Sequence, residues 1–321
     1  MNLLTFLPGA RFEAQGLHFR FTDRADDGVL DDFFPAYDRA FVLENEKERV
    51  EGFHACLALN DGAAHRTLRE RYGPFRELIA TARNEPDGPV IGGANLLVTQ
   101  LPAMPELPDL AGAAAASIGH SLNLNYLFVD PRQRGRGLGG CIQRACFEVA
   151  ANLSREWGGK RHGGVAFLEV NDPFRLTPEA YRLDTAHAGI DQVARLGYWA
   201  RAGARVLDWP YVQPALSDTQ GDDDTLAMAV IGATAAALPA GLLAHHLERF
   251  FAISVLKGQP LADSPSATAQ LAELAARHRA GASIGLLDLA RHLPNLARVL
   301  RGAGRGRPGN LPEALKNGDR P

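Results

Sequence analysis

Residues 126–142 read YLFVDPRQRGRGLGGCI. An apolar strand end, Tyr126 to Val129, runs into Pro131, which cannot extend a central ladder. The chain then passes through Arg134-Gly135-Arg136-Gly137-Leu138-Gly139-Gly140 to Ile142, Ala145, Cys146, Val149 and Leu153, spaced at three and four like one face of a helix. Glycines at such a turn let main-chain N–H groups converge on a phosphate with no Cβ in the way, and the helix start adds a partial positive charge. Arg134 and Arg136 supply counter-charge. The stretch predicts a polyphosphate-binding turn, although three glycines also serve in plain strand-to-helix connections.

Two other phosphate motifs can be tested by inspection. A P-loop needs Gly-Lys-Ser or Gly-Lys-Thr where Gly139-Gly140-Cys141 stands, so it fails. Gly135, Gly137 and Gly140 have the dinucleotide-fold spacing, but the motif lies far into the chain. The next acidic strand residue, Glu169, is about thirty residues on, where that fold wants about twenty. A nicotinamide-dependent oxidoreductase is therefore a lesser reading.

Outward from the turn, residues 120–129 alternate as a strand, with Leu122, Leu124, Tyr126 and Phe128 expected on one face and Asn123, Asn125, Leu127 and Val129 on the other. Both faces are partly apolar, which predicts a central position in a sheet. After the motif helix, VAFLEVN (165–171) is a strand with Phe167, Glu169 and Asn171 on one side. Upstream, 17–22 and 90–99 read as strands, and 29–53 and 65–83 as helical. Downstream we expect a loop to Gly189, a helix over 191–202, strands over 205–212 and 225–231, and helices over 239–255, 267–278 and 284–300. The Gly-, Pro- and charge-rich end, 301–321, reads as an unstructured basic tail.

With 321 residues and 46% apolar content, the chain has room for a core domain and an appended piece. A formal charge of −3 removes any whole-protein electrostatic case for nucleic acid or anionic membrane, and Arg301, Arg305 and Arg307 carry no interleaved aromatics. Cys56, Cys141 and Cys146 have no metal-ligand spacing and read as small buried hydrophobes in a reducing compartment. His120, His245 and His246 likewise lack metal-like partners, so no metal is expected. The first residues make a poor signal peptide, and the uncharged run 226–244 is broken by Gly232 and Pro239. A cytoplasmic protein is the expectation.

These residues resemble the GNAT (Gcn5-related N-acetyltransferase) superfamily, whose signature is Arg or Gln, two residues, Gly, one residue, then Gly or Ala. Arg134, Gly137 and Gly139 fill it, after a lead-in of Phe128, Val129, Asp130 and Pro131. The order of elements over roughly residues 15–232 agrees. The resemblance implies an α/β fold with a mixed central sheet in 1–232, followed by a helical C-terminal extension in 233–300 and the tail. It implies acetyl-CoA as co-substrate, with Leu127, Phe128 and Val129 along the thioester and pantetheine arm. Arg134, Gly135, Arg136, Gly137, Leu138, Gly139 and Gly140 would stand at the diphosphate, and Asn171 at the end of the next strand. A second family motif takes Ala194, Tyr198 and Gly203, with one residue more than usual between the last two.

Acyl transfer needs a neutral amine, and a lysine-like amine with a pKa near 10.4 costs about 4 to 5 kcal/mol to deprotonate at neutral pH. Glu169 is the candidate base, against a plain surface carboxylate; Tyr198 is the candidate acid for the departing thiolate, against a buried aromatic. Asn123 stands where histone-acetylating members carry a Glu, and an amide takes no proton. Glu44, Glu46 and Glu48 read as a solvated helix face. The expected reaction is direct acetyl transfer to a primary amine of a small molecule or protein, with a catalytically silent acyl-CoA-binding module as the alternative. For 233–300 a lid or a homodimer surface is the expectation.

Overall fold

A computed structural model describes residues 10–43, 47–102, 118–158, 163–301 and 308–317. Strands β1 (Ala10–Ala14) and β2 (Leu17–Thr22) form a hairpin over Gln15-Gly16, both at positive φ as a two-residue turn demands. Helices α1 (Val29–Asp38), α2 (Val50–Ala58) and α3 (Gly62–Tyr72) precede strands β3 (Phe75–Arg83), β4 (Gly92–Gln100) and β5 (Ile118–Val129). Next come α4 (Leu138–Glu156), β6 (Gly163–Asn171), α5 (Pro178–Ala188), α6 (Gln192–Arg201), β7 (Arg205–Leu207) and β8 (Leu226–Ile231). The last elements are β9 (Ala237–Pro239), α7 (Ala240–Phe250), α8 (Pro265–Arg279), β10 (Ser283–Asp288), α9 (Leu289–Arg301) and α10 (Leu311–Asn317).

The strands make one sheet in the order β1-β2-β3-β4-β5-β6-β8-β7-β10-β9, and among the described residues only β5 and β6 pair in parallel. This mixed α/β sheet is the fold class expected, and it is unlike the open parallel sheet a dinucleotide fold requires. One face carries α4, with Ile142, Cys146, Val149 and Leu153 packed on Leu96, Leu122, Leu124 and Leu168. The other carries α1 and α2 through Phe33, Tyr37 and Phe53, and α7 and α8 through Leu243, Leu247 and Leu274.

The face assignment expected for β5 is overturned at Asn125. On β4, Asn95 pairs with Tyr126 and its neighbour Leu96 with Leu124, so Asn125 is an extra residue in a β-bulge. Before the bulge, Leu122 and Leu124 lie on the α4 face. After it, Leu127 and Val129 take over that face, while Tyr126 and Phe128 pack with Phe33 and Tyr37 on the other. Alternation could not reveal this, because both faces mix Leu with Asn.

Several boundaries also differ from expectation. The helix expected over 65–83 ends at Tyr72, because Gly73 at φ 81 and Pro74 break it and Phe75–Arg83 becomes a strand between β2 and β4. The expected loop before Gly189 holds α5, started by Pro178 with Thr177 as its cap. The strand expected over 205–212 is only three residues long. The extension is mainly helical, but β9 and β10 join the sheet through β7, and residues 284–288, expected as helix, form β10. The tail expected to be unstructured contains α10, with Leu311, Ala314 and Leu315 buried; residues 302–307 lie outside the described residues. Among the described residues no helix is long and apolar enough to cross a membrane.

Candidate active site

Parallel pairing of β5 with β6 stops at Leu124–Leu168, although both strands continue. Past that point β6 stays with β8, and β5 stays with β4. The Asp130 N–H donates to the Ile91 carbonyl at 2.8 Å. By the alternation of an antiparallel ladder, Phe128 bonds β4 as well, and Leu127 and Val129 turn their N–H and C=O groups to the gap left by β6.

A cleft of about 810 Å³ opens along this freed edge. Leu127, Phe128 and Val129 line one end with Ala40 and Phe41. Arg134, Gly135, Gly137, Leu138, Gly139 and Gly140 line the other, and Tyr198 and Trp199 of α6 contribute a wall. Asp130 closes a 3-10 turn over Pro131–Gln133 by accepting from the Arg132 N–H, which aims the chain at α4. Gly135 and Gly137 both sit at φ 76 with open space where a Cβ would be, and Gly137 is the N-cap of α4. No hydrogen bond in the described residues uses the main-chain N–H of any residue from Gly135 to Gly140. Leu138 to Gly140 are first-turn amides, which no helix can satisfy internally. These N–H groups form a row of donors along the cleft with no partner among the described residues.

Of the residues expected at the cofactor, two stand off the cleft wall. Arg136 is exposed and bonded to Gln133, and Asn171 ends β6 opposite Leu226 with its Nδ2 buried and unpartnered. Arg134 lines the cleft, but its guanidinium donates to the Ala188 carbonyl at the end of α5. Arg144, Arg195 and Arg201 were missed and also line the cleft; Arg144 could have been found one helical turn past Gly140.

Tyr198 and its neighbour Trp199 both line the cleft. The Tyr198 hydroxyl donates to Gln143 Oε1 at 3.3 Å and lies over the first turn of α4, where a Cβ on Gly139 would come within 3.0 Å of it. Burial raises its pKa to about 12, with Arg144 and Arg201 pulling the other way. It keeps its proton at neutral pH.

Glu169 does not line this cleft. It lies in a neighbouring cavity of about 20 Å³, room for roughly one water, with Asn95, Asn125, Tyr126, Glu48 and Ser254. Burial pushes its pKa up to about 7, against the bond it accepts from the Tyr211 hydroxyl. Cleft and cavity are joined in the chain at Tyr126-Leu127, just past the bulge.

Glu48, expected on a solvated face, is buried: its carboxylate folds over Gly52, accepts from the Arg49 N–H and pairs with Lys257 at 2.7 Å. Glu44 and Glu46 lie outside the described residues. His120 and His246 are buried, and Cys141 is only half-buried, beside Gln15 and Arg144. Among the described residues no three His, Cys, Asp or Glu side chains gather as a metal site would need.

No protein-family model and no curated protein matches the chain. Solved structures that it resembles include one ascribed to the GNAT acetyltransferases from Desulfovibrio desulfuricans, at 16% identity over 67% of this chain and 98% of that one, with a TM-score of 0.32. The ribosomal-protein-S18-alanine N-acetyltransferase of Escherichia coli is 14% identical over 68% and 94%, with a TM-score of 0.34. An IAA acetyltransferase from Bacillus cereus is 15% identical over 54% and 87%, with a TM-score of 0.25.

Proposed function

We propose that the chain is a GNAT-type N-acetyltransferase that moves the acetyl group of acetyl-CoA directly to a primary amine. The observation that carries this reading is the row of unengaged amides from Gly135 to Gly140 at one end of a cleft whose other end is the freed edge of β5. A diphosphate suits those donors and the helix start, and an extended amide-bearing arm suits a strand edge that has lost its partner. Arg144 and Arg201 add positive charge to the same cleft.

On this reading the amine reaches the thioester through the cleft, and the small cavity past Tyr126, with room for about one water, leads from it to Glu169. Glu169, with a pKa of about 7, takes the ammonium proton. The neutral nitrogen attacks the carbonyl carbon, the C–S bond breaks, and one of the two protons left on nitrogen ends on sulfur while the other stays on the amide. Tyr198 donates a hydrogen bond to that sulfur as charge develops. A silent acyl-CoA-binding module is the second reading, favoured by the separation of Glu169 from the cleft lining. Incubation with acetyl-CoA and a panel of primary amines tests the choice. Release of free thiol with matching acetylated amine is expected. Tight acetyl-CoA binding without thiol release would select the silent module.

A further inference from the structure

We infer that the C-terminal extension clamps the bulge of β5, and that buried Glu77 is the positioning residue through which it does so. This rests on the acyl-transfer reading, because the bulge matters only if the edge beyond it receives a thioester.

Glu77 lies on β3 with no exposed surface and forms no ion pair among the described residues, yet it receives three hydrogen bonds from neutral donors. Asn95 Nδ2 donates to Oε1 at 2.7 Å, Asn125 Nδ2 to Oε1 at 3.0 Å, and the Ser254 hydroxyl to Oε2 at 2.8 Å. Ser254 belongs to the extension, in a π-helical turn over Phe251–Val255 that directly continues α7. Such turns cost regular helix bonds and recur where a side chain must be aimed.

Asn125 is the inserted residue of the bulge, and its amide is used in full. Nδ2 also donates to Asn95 Oδ1 at 2.8 Å, and Oδ1 accepts from Asn123 Nδ2 at 2.8 Å. Asn123 Oδ1 in turn bonds His246 Nε2 at 3.0 Å, and His246 Nδ1 lies 3.4 Å from the Ser121 hydroxyl. Burial holds His246 neutral, so Nε2 carries the proton and Nδ1 accepts from Ser121. His246 stacks on Phe167 of β6, ring centres 3.9 Å apart. The extension thus grips β5 just before the insertion and at it: His246 through Asn123, and Ser254 through Glu77 to Asn125.

The consequence follows from strand geometry. Loss of the bulge would slip β5 beyond it by one residue against β4 and exchange the directions of successive main-chain groups there, so that Leu127 and Val129 would face β4 instead of the open cleft. A carboxylate that accepts simultaneously from Asn95, Asn125 and the extension is satisfied in one register only. The Gly135–Gly140 amides lie outside this network, so cofactor grip and thioester placement are separable.

The test uses the full chain, acetyl-CoA titration by calorimetry, and thiol release with the amine panel. Glu77→Leu removes the acceptors of all three donors; kcat should fall by about 10- to 100-fold while the acetyl-CoA Kd changes less than about twofold. Glu77→Gln can keep its Oε1 on Asn95 and Asn125 and donate its Nε2–H to the Ser254 hydroxyl, so kcat should stay within about threefold of the native chain. Ser254→Ala, which leaves Glu77 in place, should lower kcat about three- to tenfold at unchanged Kd; it serves also where Glu77→Leu does not fold. Unchanged kcat in Ser254→Ala, or in a folded Glu77→Leu, overturns the clamp. So does a large loss of kcat in Glu77→Gln, which would instead give the charge of the Glu77 carboxylate a chemical role. A native chain that binds no acetyl-CoA overturns the acyl-transfer reading and the clamp with it, whereas native turnover that ignores these substitutions overturns the clamp alone.

Discussion

The glycine turn and the β5 bulge lie a few residues apart, Arg134 to Gly140 against Asn125, and are built by opposite means. The turn is local: Gly135 and Gly137 at φ 76, a 3-10 turn and a helix start make a row of donors from one run of sequence. The bulge is assembled from five separate segments, with β3, β4, β5, β6 and the extension all contributing to the network around Asn125. A local device can grip a cofactor, but placing a proton acceptor beside it takes residues far apart in the chain. Substitutions in the turn should therefore act on binding, and those around the bulge on turnover.

The largest effect expected is on the turnover side. Glu169→Gln should lower kcat/KM by about 10² to 10⁴, the usual scale for loss of a general base, while acetyl-CoA affinity stays within about twofold. The rise of rate with pH through about 7 should vanish with it. A pH–rate profile that keeps its rising limb would remove Glu169 from proton transfer. The counterpart on the binding side is Gly137→Val. Its Cβ meets nothing in the free protein, so the fold should persist, at a cost of about 1 to 2 kcal/mol for a non-glycine residue in the left-handed region. The new side chain would stand where the diphosphate is expected, and the acetyl-CoA Kd should rise about 100-fold. If calorimetry gave a native Kd, the amides of the turn would not be the binding donors.

The same division explains what could be read in the sequence. Arg134, Gly137 and Gly139 carry their meaning in their spacing, and the cleft contains all of them. Glu77 could not be read, because 65–83 has helical spacing, and the break depends on the Gly73-Pro74 turn and on β2 and β4 packing on either side of 75–83. Glu48 reads as surface from its charged neighbours, and only the fold places Lys257 and Gly52 against it. α5 was legible in hindsight, since Thr177-Pro178-Glu179 is a cap followed by a proline at the first helical position. The bulge was not, since Leu and Asn alternate on both faces of β5 until a partner strand sets their register.

Holding a carboxyl group in that small cavity carries a cost that pH exposes, which is the third prediction. Glu169 has a folded pKa of about 7 against 4.5 for the free side chain. The folded state therefore holds the proton more tightly than the unfolded one, and the stability this contributes is complete below 4.5 and lost as pH rises through about 7. Glu169→Gln escapes that loss. Its stability relative to the native chain should rise by about 2 kcal/mol between pH 4 and pH 8, discounted for the partial exposure of the group. Urea unfolding at the two pH values reads this directly, and a constant difference would mean that the carboxylate is not held up by burial.

The smallest effect expected falls on Tyr198 in the cleft wall. Tyr198 lies over the glycine turn, yet its proposed partner is the sulfur at the other end of the arm. With a pKa of about 12 it cannot readily surrender its proton to a departing thiolate, since a free cysteine thiol titrates near 8.5 and the transfer would run uphill by about 5 kcal/mol. A hydrogen bond from the intact phenol has no such cost, and Arg144 and Arg201 strengthen it by drawing the hydroxyl's pKa down. Tyr198→Phe should then lower kcat about tenfold, the scale of one charge-assisted hydrogen bond, and leave the acetyl-CoA Kd within about twofold. A loss of 10³ or more would make Tyr198 an obligatory acid, and a shift in Kd without one in kcat would assign it to the diphosphate turn over which it lies.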